Sequence, residues 1–174
     1  MLQEVKRILS VTENIKHRAM LTTVYALGLR SVELRVLKIT HLDEDRNGVF
    51  IQNAKGKRYR VLPFSESLKN VLRGYYKRNR PKTYLFEGRN GQYASESLRA
   101  VFKSALKRVV IKKRVTLHSR RHAHATHLSE SGTDFGSIQE LLGHNIIKTT
   151  MRYTHVSNKH LLNAKSPLDF LGDF

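Results

Sequence analysis

Two arginines have the chemistry and the placement to bind a phosphate group together. Arg30 lies in the segment GLRSVEL, and Arg121 lies far along the chain in LHSRRHAHATHL. Guanidinium groups hold phosphate oxygens with paired hydrogen bonds, so arginines from two distant segments can clamp one phosphate. Because the chain carries 32 basic residues, the competing interpretation of either arginine is a solvated or backbone-contacting charge.

Four histidines fall on one predicted helix: His118, His122, His124 and His127. His118 and His122 are four residues apart and share a helix face, which is a spacing seen in metal pairs. No cysteine completes such a site, and the nearest acid, Glu130, lies eight residues beyond His122. We therefore predict no metal and no cofactor, and we interpret His122, His124 and His127 as solvated or phosphate-facing.

His144 and Tyr153 stand outside any apolar stripe. His144 directly follows the glycine of LLGHN, so we expect it to project from the end of a helix. Tyr153 follows nine residues later in the polar segment TTMRYTHVS. It is either an amphipathic surface tyrosine or a phenol with a function.

The charge of the chain indicates a polyanionic partner. The sequence has 32 Lys and Arg against 14 Asp and Glu, a formal net charge of +18. Such an excess favours nucleic acid, although it specifies no chemistry. The basic residues are spread over the chain, as expected for one folded face that follows a phosphate backbone. They form clusters at Arg78, Arg80 and Lys82, at Lys107, Arg108, Lys112, Lys113 and Arg114, and at Arg120 and Arg121.

Composition narrows the class of protein further. A length of 174 residues with 40% hydrophobic residues is typical of one folded domain with a real core. The chain has no cysteine, which excludes a disulfide scaffold, thiolate zinc sites and thiol catalysis. No apolar run reaches the length of a membrane span, and the N-terminus lacks the apolar segment of a signal peptide. We expect a soluble cytoplasmic protein without a membrane partner.

The elements that must position these residues are mostly helical. Apolar spacing predicts a helix over 14–27, ended by Gly28, and a short helix over 31–39. Two β-prone stretches at 49–54 and 58–63, joined by Lys55-Gly56-Lys57, predict a hairpin. Further helices are predicted with apolar stripes at 68–75 (closed by Pro81) and 98–109, over 118–130 up to Gly132, over 135–142, around 148–154 and from Lys159. The fold class is mostly α with a small antiparallel β-sheet (α+β).

In this order, the segments GLRSVEL, AKGKRYRVLP, LHSRRHAHATHL, LLGHN and TTMRYTHVS resemble the tyrosine recombinase (phage integrase) family. The likeness is strongest to Xer-like integrases of bacterial mobile elements and runs from about Glu4 to Leu168. It implies a catalytic domain of a site-specific recombinase that cleaves and rejoins DNA through a 3′-phosphotyrosyl intermediate, without metal or ATP. The catalytic positions that match the family pattern are Arg30, Lys55, His118, Arg121, His144 and Tyr153.

The resemblance assigns a role to each of these positions. Tyr153 is the nucleophile, and Arg30 and Arg121 hold the non-bridging phosphate oxygens. Lys55 on the hairpin turn is the general acid for the leaving 5′-oxygen. His118 assists proton transfer from Tyr153, and His144 donates to the phosphate.

Two positions depart from the family pattern. Val32 replaces the serine that usually precedes the glutamate of the first motif, which could change how Arg30 is supported. Arg120 replaces a leucine beside Arg121, and an unpaired buried charge there would be costly. Glu33, three residues after Arg30, is close enough to orient it on a helix.

The family also implies partners and limits. We expect double-stranded DNA as the partner, a monomer off DNA and a tetrameric synapse on paired sites, with the protein on the nucleoid when bound. The chain is expected to be a single catalytic domain over 1–174, lacking the N-terminal core-binding domain of the family. Its tail, about 165–174, docks either on a neighbouring subunit or on its own domain.

Three other functions fit parts of the pattern. A DNA-binding module that is catalytically silent on its own would keep the same residues. A type IB topoisomerase shares the chemistry but would relax supercoils without a specific site. A metallohydrolase built on the histidine-rich helix would be inhibited by EDTA.

Overall fold

The computed structural model describes residues 2–52, 59–89, 91–109, 124–125, 127–128, 131–142 and 166. Within these ranges the architecture is mostly helical with small antiparallel sheets, which confirms the predicted fold class. The helices are α1 (Leu2–Ser10), α2 (Ile15–Leu27), α3 (Ser31–Val36), α4 (Glu66–Asn79), α5 (Ser95–Arg108) and α6 (Phe135–Leu142). The strands are β1 (Leu42–Asp43), β2 (Gly48–Gln52), β3 (Tyr59–Pro63), β4 (Glu87–Gly88) and β5 (Gly91–Gln92).

Helix α2 is the centre of the core. Every residue from 19 to 27 is buried, including two threonines. A helix that is buried on all sides lies inside the domain rather than on its surface. Helices α1, α3 and α4 pack against it. Helix α1 has no counterpart among the elements predicted from sequence, although its Val5, Ile8 and Leu9 belong to the same core.

The predicted hairpin exists as two paired strands of a three-stranded sheet in the order β1-β2-β3. Strands β2 and β3 are antiparallel, and their register places Val49 opposite Leu62 and Ile51 opposite Arg60. These residues are buried, so one face of the hairpin packs on the core. The predicted turn at Lys55 lies in residues 53–58, outside the described residues.

The second predicted helix is shorter than expected. It was predicted over 31–39, but α3 ends at Val36. The backbone after it pairs with another segment instead, since the Leu85 N–H donates to the Leu37 carbonyl at 2.7 Å and the Ile39 N–H to the Thr83 carbonyl at 3.2 Å. This pairing takes the groups that further helical turns would need. The tertiary contact therefore overrides the local helical pattern.

The remaining predicted helices agree where the structure describes them. Helix α4 ends at Asn79 because Arg80 adopts a left-handed conformation with φ 40°, just before Pro81. Helix α6 has the predicted bounds, and the described residues between 124 and 128 are helical. The helices predicted around 148–154 and from Lys159 lie outside the described residues. In the part of the chain that is described, no helix combines the length and apolar character needed to span a membrane.

Candidate active site

Arg30 lies at the corner between α2 and α3. Gly28 ends α2 in a left-handed conformation with φ 57°, as predicted, and its N–H donates to the Val24 carbonyl. Arg30 then occupies the N-cap position of α3. Its backbone N–H donates to Oε2 of Glu33 at 2.7 Å and its Nη1 donates to Oε1 at 3.1 Å. Glu33 therefore orients Arg30 as the three-residue spacing predicted.

Glu33 has a second, buried partner in Arg60 on β3. Arg60 Nη1 donates to Glu33 Oε1 at 2.8 Å, and Nη2 donates to Oε2 at 3.0 Å. The two side chains are only 7% and 8% exposed, whereas that of Arg30 is 44% exposed. A two-pronged contact of this kind fixes the carboxylate in position as well as in charge. The Glu33 carboxylate thus contacts the buried Arg60 on one side and the partly exposed Arg30 on the other.

Sequence reasoning did not single out Arg60. The signal was available in the alternation of β3, because Arg60 and Leu62 lie two residues apart and share the face that packs on the core. A cation on an inward face requires a buried acid or a carbonyl. The position of Glu33 beneath Arg30 could not be inferred from the strand alone.

Arg60 also contacts helix α6. Its Nε donates to the carbonyl oxygen of Leu141 at 2.9 Å. Leu141 is the penultimate residue of α6, where carbonyls have no partner inside the helix and a cation is favourable. One guanidinium therefore joins α3, β3 and α6.

The charge state of Glu33 follows from these contacts. Burial by itself raises the pKa of the Glu33 carboxyl, but the hydrogen bonds and charge of Arg60 oppose it, and those of Arg30 add to them. The balance leaves the pKa of Glu33 below its ordinary value. Glu33 is accordingly a carboxylate at neutral pH and attracts both guanidinium groups.

Two of the histidines predicted to be solvated or phosphate-facing are buried, so that prediction is wrong for His124 and His127. They are 4% and 5% exposed. His124 Nδ1 lies 2.8 Å from the Tyr25 carbonyl, and His127 Nδ1 lies 2.6 Å from the Tyr25 hydroxyl. A carbonyl only accepts, so Nδ1 of His124 carries the proton. The three-residue spacing puts both rings on the face that packs on α2, where Tyr25 binds them.

Gly28 permits this packing. A Cβ atom on Gly28 would lie 2.7 Å from Cδ2 of His124, a distance that side chains do not tolerate. The left-handed backbone adds a second reason for glycine. The corner that presents Arg30 is therefore in direct contact with the helix residues that follow Arg121 in sequence.

Five of the six predicted catalytic residues lie outside the described residues, and Arg30 is the one that the structure places. The described elements end close to them in sequence: β2 and β3 flank the segment with Lys55, and α6 ends two residues before His144. The residues outside the description are Lys55, His118, Arg121, His144 and Tyr153.

The two departures from the family pattern have different outcomes. The side chain of Val32 faces solvent and is 55% exposed, and Glu33 still holds Arg30. Glu33 thus supports Arg30 with a valine at position 32. Arg120 lies outside the described residues. At the start of the tail, Ser166 is buried and its hydroxyl donates to the Ala26 carbonyl at 3.2 Å, so this residue packs on its own domain.

The described ranges hold no metal cluster. Within 2–52, 59–89, 91–109 and the shorter described pieces, no group of three or more His, Asp or Glu side chains could hold a metal ion. The pair His118 and His122 lies outside these ranges.

Known proteins resemble this chain over nearly its whole length. The sequence pattern of the phage integrase family matches residues 2–160. A putative integrase/recombinase of Sinorhizobium fredii is 36% identical over 170 residues, which cover 97% of this chain and 55% of that protein. The tyrosine recombinase XerA of Pyrococcus horikoshii is 36% identical over 166 residues, covering 92% of this chain and 58% of XerA. The chain thus spans a little over half the length of these two relatives.

The fold resembles that of a solved phage integrase. The integrase of mycobacterium phage Brujita superposes with a TM-score of 0.79 at 26% identity, covering 97% of this chain and 57% of that one. The described helices and sheet therefore correspond to one part of a larger known architecture.

Proposed function

Since the chain belongs to the phage integrase family, whose pattern covers residues 2–160, we propose that it is the catalytic part of a site-specific DNA recombinase. It breaks and rejoins DNA strands through a covalent 3′-phosphotyrosyl intermediate. The relatives that it resembles carry the names integrase and tyrosine recombinase. The chain matches only 55% and 58% of these relatives, so the proposal concerns the strand-transfer chemistry.

The observation that supports this function most directly is the setting of Arg30. Its guanidinium is 44% exposed, and it is oriented by a carboxylate that is itself 8% exposed. A cation held in this way reaches a bound phosphate without having to be ordered first. Preorganised charge at the position where negative charge develops is often the largest contribution to catalysis.

The reaction divides into two balanced steps. The Tyr153 oxygen attacks the scissile phosphorus while the bond to the 5′-oxygen breaks, and Lys55 protonates that leaving oxygen. Arg30 and Arg121 hold the non-bridging oxygens, His118 takes the phenolic proton and His144 donates to the phosphate. A 5′-hydroxyl then attacks the phosphorus of the phosphotyrosine and gives its proton to Lys55, while the bond to Tyr153 breaks and His118 returns a proton to the phenolic oxygen. One ester replaces another in each step, so neither step consumes ATP.

We also propose partners and a location for the protein. Double-stranded DNA is the substrate, in agreement with the net charge of +18. Four subunits in a synapse exchange strands between two duplexes, and the protein is a monomer off DNA. It acts in the cytoplasm, on the nucleoid.

Covalent trapping tests the function. The protein is incubated in EDTA with a pool of nicked duplexes that lose the cleaved fragment, and a denaturing gel then separates DNA bound covalently to protein. We expect a shifted band that is lost in Tyr153→Phe. The DNA dissociation constant should stay within about twofold of wild type, because contacts to the phosphates are spread over many Lys and Arg side chains. The control is Tyr76→Phe, which changes a 47% exposed tyrosine of α4 and should leave the band intact.

The role of Arg30 is tested in the same assay. Arg30→Ala should slow adduct formation by about a hundredfold or more, as the loss of one transition-state donor commonly does, with much less effect on binding. Arg73→Ala removes an exposed arginine paired with Glu44 and is the matched control. Equal losses of binding and cleavage in Arg30→Ala would contradict the role.

The outcome also separates the competing functions. DNA binding without any adduct favours a silent binding module, which the partial coverage of the relatives makes a real alternative. Relaxation of supercoiled DNA without sequence preference favours a topoisomerase. An adduct that forms when EDTA is left out, and is lost when EDTA is added, would contradict the metal-free mechanism.

A further inference from the structure

The geometry points to Arg60 as a positioning residue that fixes the distance between three segments of the active site. It touches no substrate atom in this role. Its guanidinium holds the carboxylate that orients Arg30 and, at the same time, the last turn of the helix that leads to His144. Arg60 matters in this way only for a strand transferase, so the inference rests on the proposed function.

The first observation is the reach of the contacts in sequence. Arg60 and Glu33 are 27 residues apart, and Arg60 and Leu141 are 81 residues apart. Each contact uses a different edge of the guanidinium: Nη1 and Nη2 bind the carboxylate, and Nε binds the carbonyl. Since the guanidinium is planar and rigid, the angle between the two contacts is fixed by its chemistry.

The second observation is the place of Arg60 on β3. It pairs with Ile51 of β2, and residues 53–58, among them Lys55, connect these two strands in sequence. A shift of β3 along β2 would therefore move Arg60 together with the strand end that leads into this segment. The same guanidinium thereby relates the hairpin to Arg30 and to the end of α6.

The third observation is burial. Arg60 and Glu33 are 7% and 8% exposed, so water does not compete strongly for either group. A buried ion pair is weak evidence for stability, because the cost of desolvation offsets much of the attraction. The Arg60–Glu33 pair is better explained by the geometry that it specifies. Its hydrogen bonds are directional, whereas contacts between two apolar side chains are not.

The discriminating variant is Arg60→Lys. Lysine keeps the charge and reaches Glu33, but its compact ammonium cannot bind both carboxylate oxygens and the Leu141 carbonyl in the same geometry. The control is Lys69→Arg, which changes the type of a different buried cation, 5% exposed, that is paired with Glu66. Both are compared with wild type at a temperature where thermal unfolding shows all three proteins folded.

Single-turnover adduct formation at saturating protein is the first readout. We expect Arg60→Lys to cleave at least about tenfold more slowly, as misplaced catalytic groups do, with a DNA dissociation constant within about twofold of wild type. Lys69→Arg should change neither quantity. Cleavage at the wild-type rate in folded Arg60→Lys, or an equal loss in Lys69→Arg, would overturn the inference.

A second readout does not depend on cleavage. The backbone amide of Arg30, which donates to Glu33, and the amide nitrogen of Leu142, which shares a peptide group with the Leu141 carbonyl, are followed by NMR without DNA. Both signals should shift in Arg60→Lys and stay in place in Lys69→Arg. If wild type forms no adduct, the proposed function fails, while unchanged signals in Arg60→Lys would overturn the positioning role separately.

A double variant tests the inference even if a single substitution at Arg60 unfolds the protein. Glu33→Met with Arg60→Met replaces both charges by apolar chains, an exchange that is often neutral for the stability of a buried pair. We expect this protein to fold and bind DNA but to cleave at least about tenfold more slowly, because the carboxylate that orients Arg30 and the guanidinium that binds the end of α6 are both removed. Wild-type cleavage in the double variant would show that the pair is merely structural.

Discussion

Arg60 and Lys69 are both buried cations, yet they hold the molecule together in different ways. Arg60 binds Glu33, which is 8% exposed, and the carbonyl of Leu141. Lys69 binds Glu66, which is 72% exposed, and the exposed Asn47 in the turn before β2. Arg60 joins segments 27 and 81 residues away, whereas the partners of Lys69 are 3 and 22 residues away.

Burial of a charge therefore does not by itself indicate a functional site. What distinguishes Arg60 is that its acid is also buried and that this acid orients an exposed arginine. Lys69 lies 5.7 Å from the ring of Phe64 and closes a local turn whose polar groups stay near water. Arg60 thus positions a residue of the candidate site, whereas Lys69 connects a helix to the turn before a strand.

The largest expected effect comes from deleting each cation. Arg60→Met leaves a buried carboxylate without its main partner, which costs about 3–5 kcal/mol of the free energy of unfolding. Lys69→Met leaves partners that water already reaches, so we expect a smaller loss of about 0.5–1.5 kcal/mol. Chemical denaturation at pH 7 measures both. Equal losses would mean that the two cations do not differ in the way proposed.

A smaller effect is expected from one glycine in each region. Gly28→Ala puts a Cβ 2.7 Å from His124 in a left-handed backbone, and that backbone alone costs about 1–2 kcal/mol. Gly74 lies within α4, the helix of Lys69, and a Cβ there meets nothing within 4 Å. Gly74→Ala should therefore stabilise the protein by about 0.5–1 kcal/mol. Thermal unfolding of the two variants should shift in opposite directions, and shifts of the same sign would break the comparison.

The smallest effect is a pH dependence that separates Glu33 from Glu66. The native pKa of Glu33 lies below its ordinary value, so its contribution to stability is present above about pH 4.3 and is lost as the pH falls through the native pKa. The unfolding free energies of wild type and Glu33→Gln should therefore converge in acid. The pKa of Glu66 is also lowered, by its hydrogen bond with Lys69, but water screens this exposed carboxylate, so Glu66→Gln should show a much smaller pH-dependent gap. A gap for Glu33→Gln that persists in acid would contradict the ionic pairing.

Much of the fold was predictable because the local patterns are strong. The glycine after Leu27 ends α2 as predicted, and Phe135 to Leu142 is a helix with the predicted bounds. The hairpin strands pair as expected. The prediction failed after Val36, where pairing with residues 83–85 replaced the last helical turn. No local pattern reports a partner segment that lies almost fifty residues away.

The candidate site divides along the same line. Arg30 and its orientation by Glu33 were predictable, because both lie within one turn of a helix. The burial of His124 and His127 was not predictable. A histidine on a helix face is either solvated or buried, and which of the two applies depends on the segment that packs against it. Here Tyr25 supplies a carbonyl and a hydroxyl to the two rings.

By itself, the sequence determined the fold class, the basic character of the chain and its membership of a family of DNA recombinases. These properties depend on composition, on periodicity and on short motifs, all of which are local or additive along the chain. Only the tertiary structure decided that Arg60 stands behind Arg30. The two residues meet through one carboxylate, from segments about thirty residues apart, and such a meeting is set by the packing of a strand on a helix.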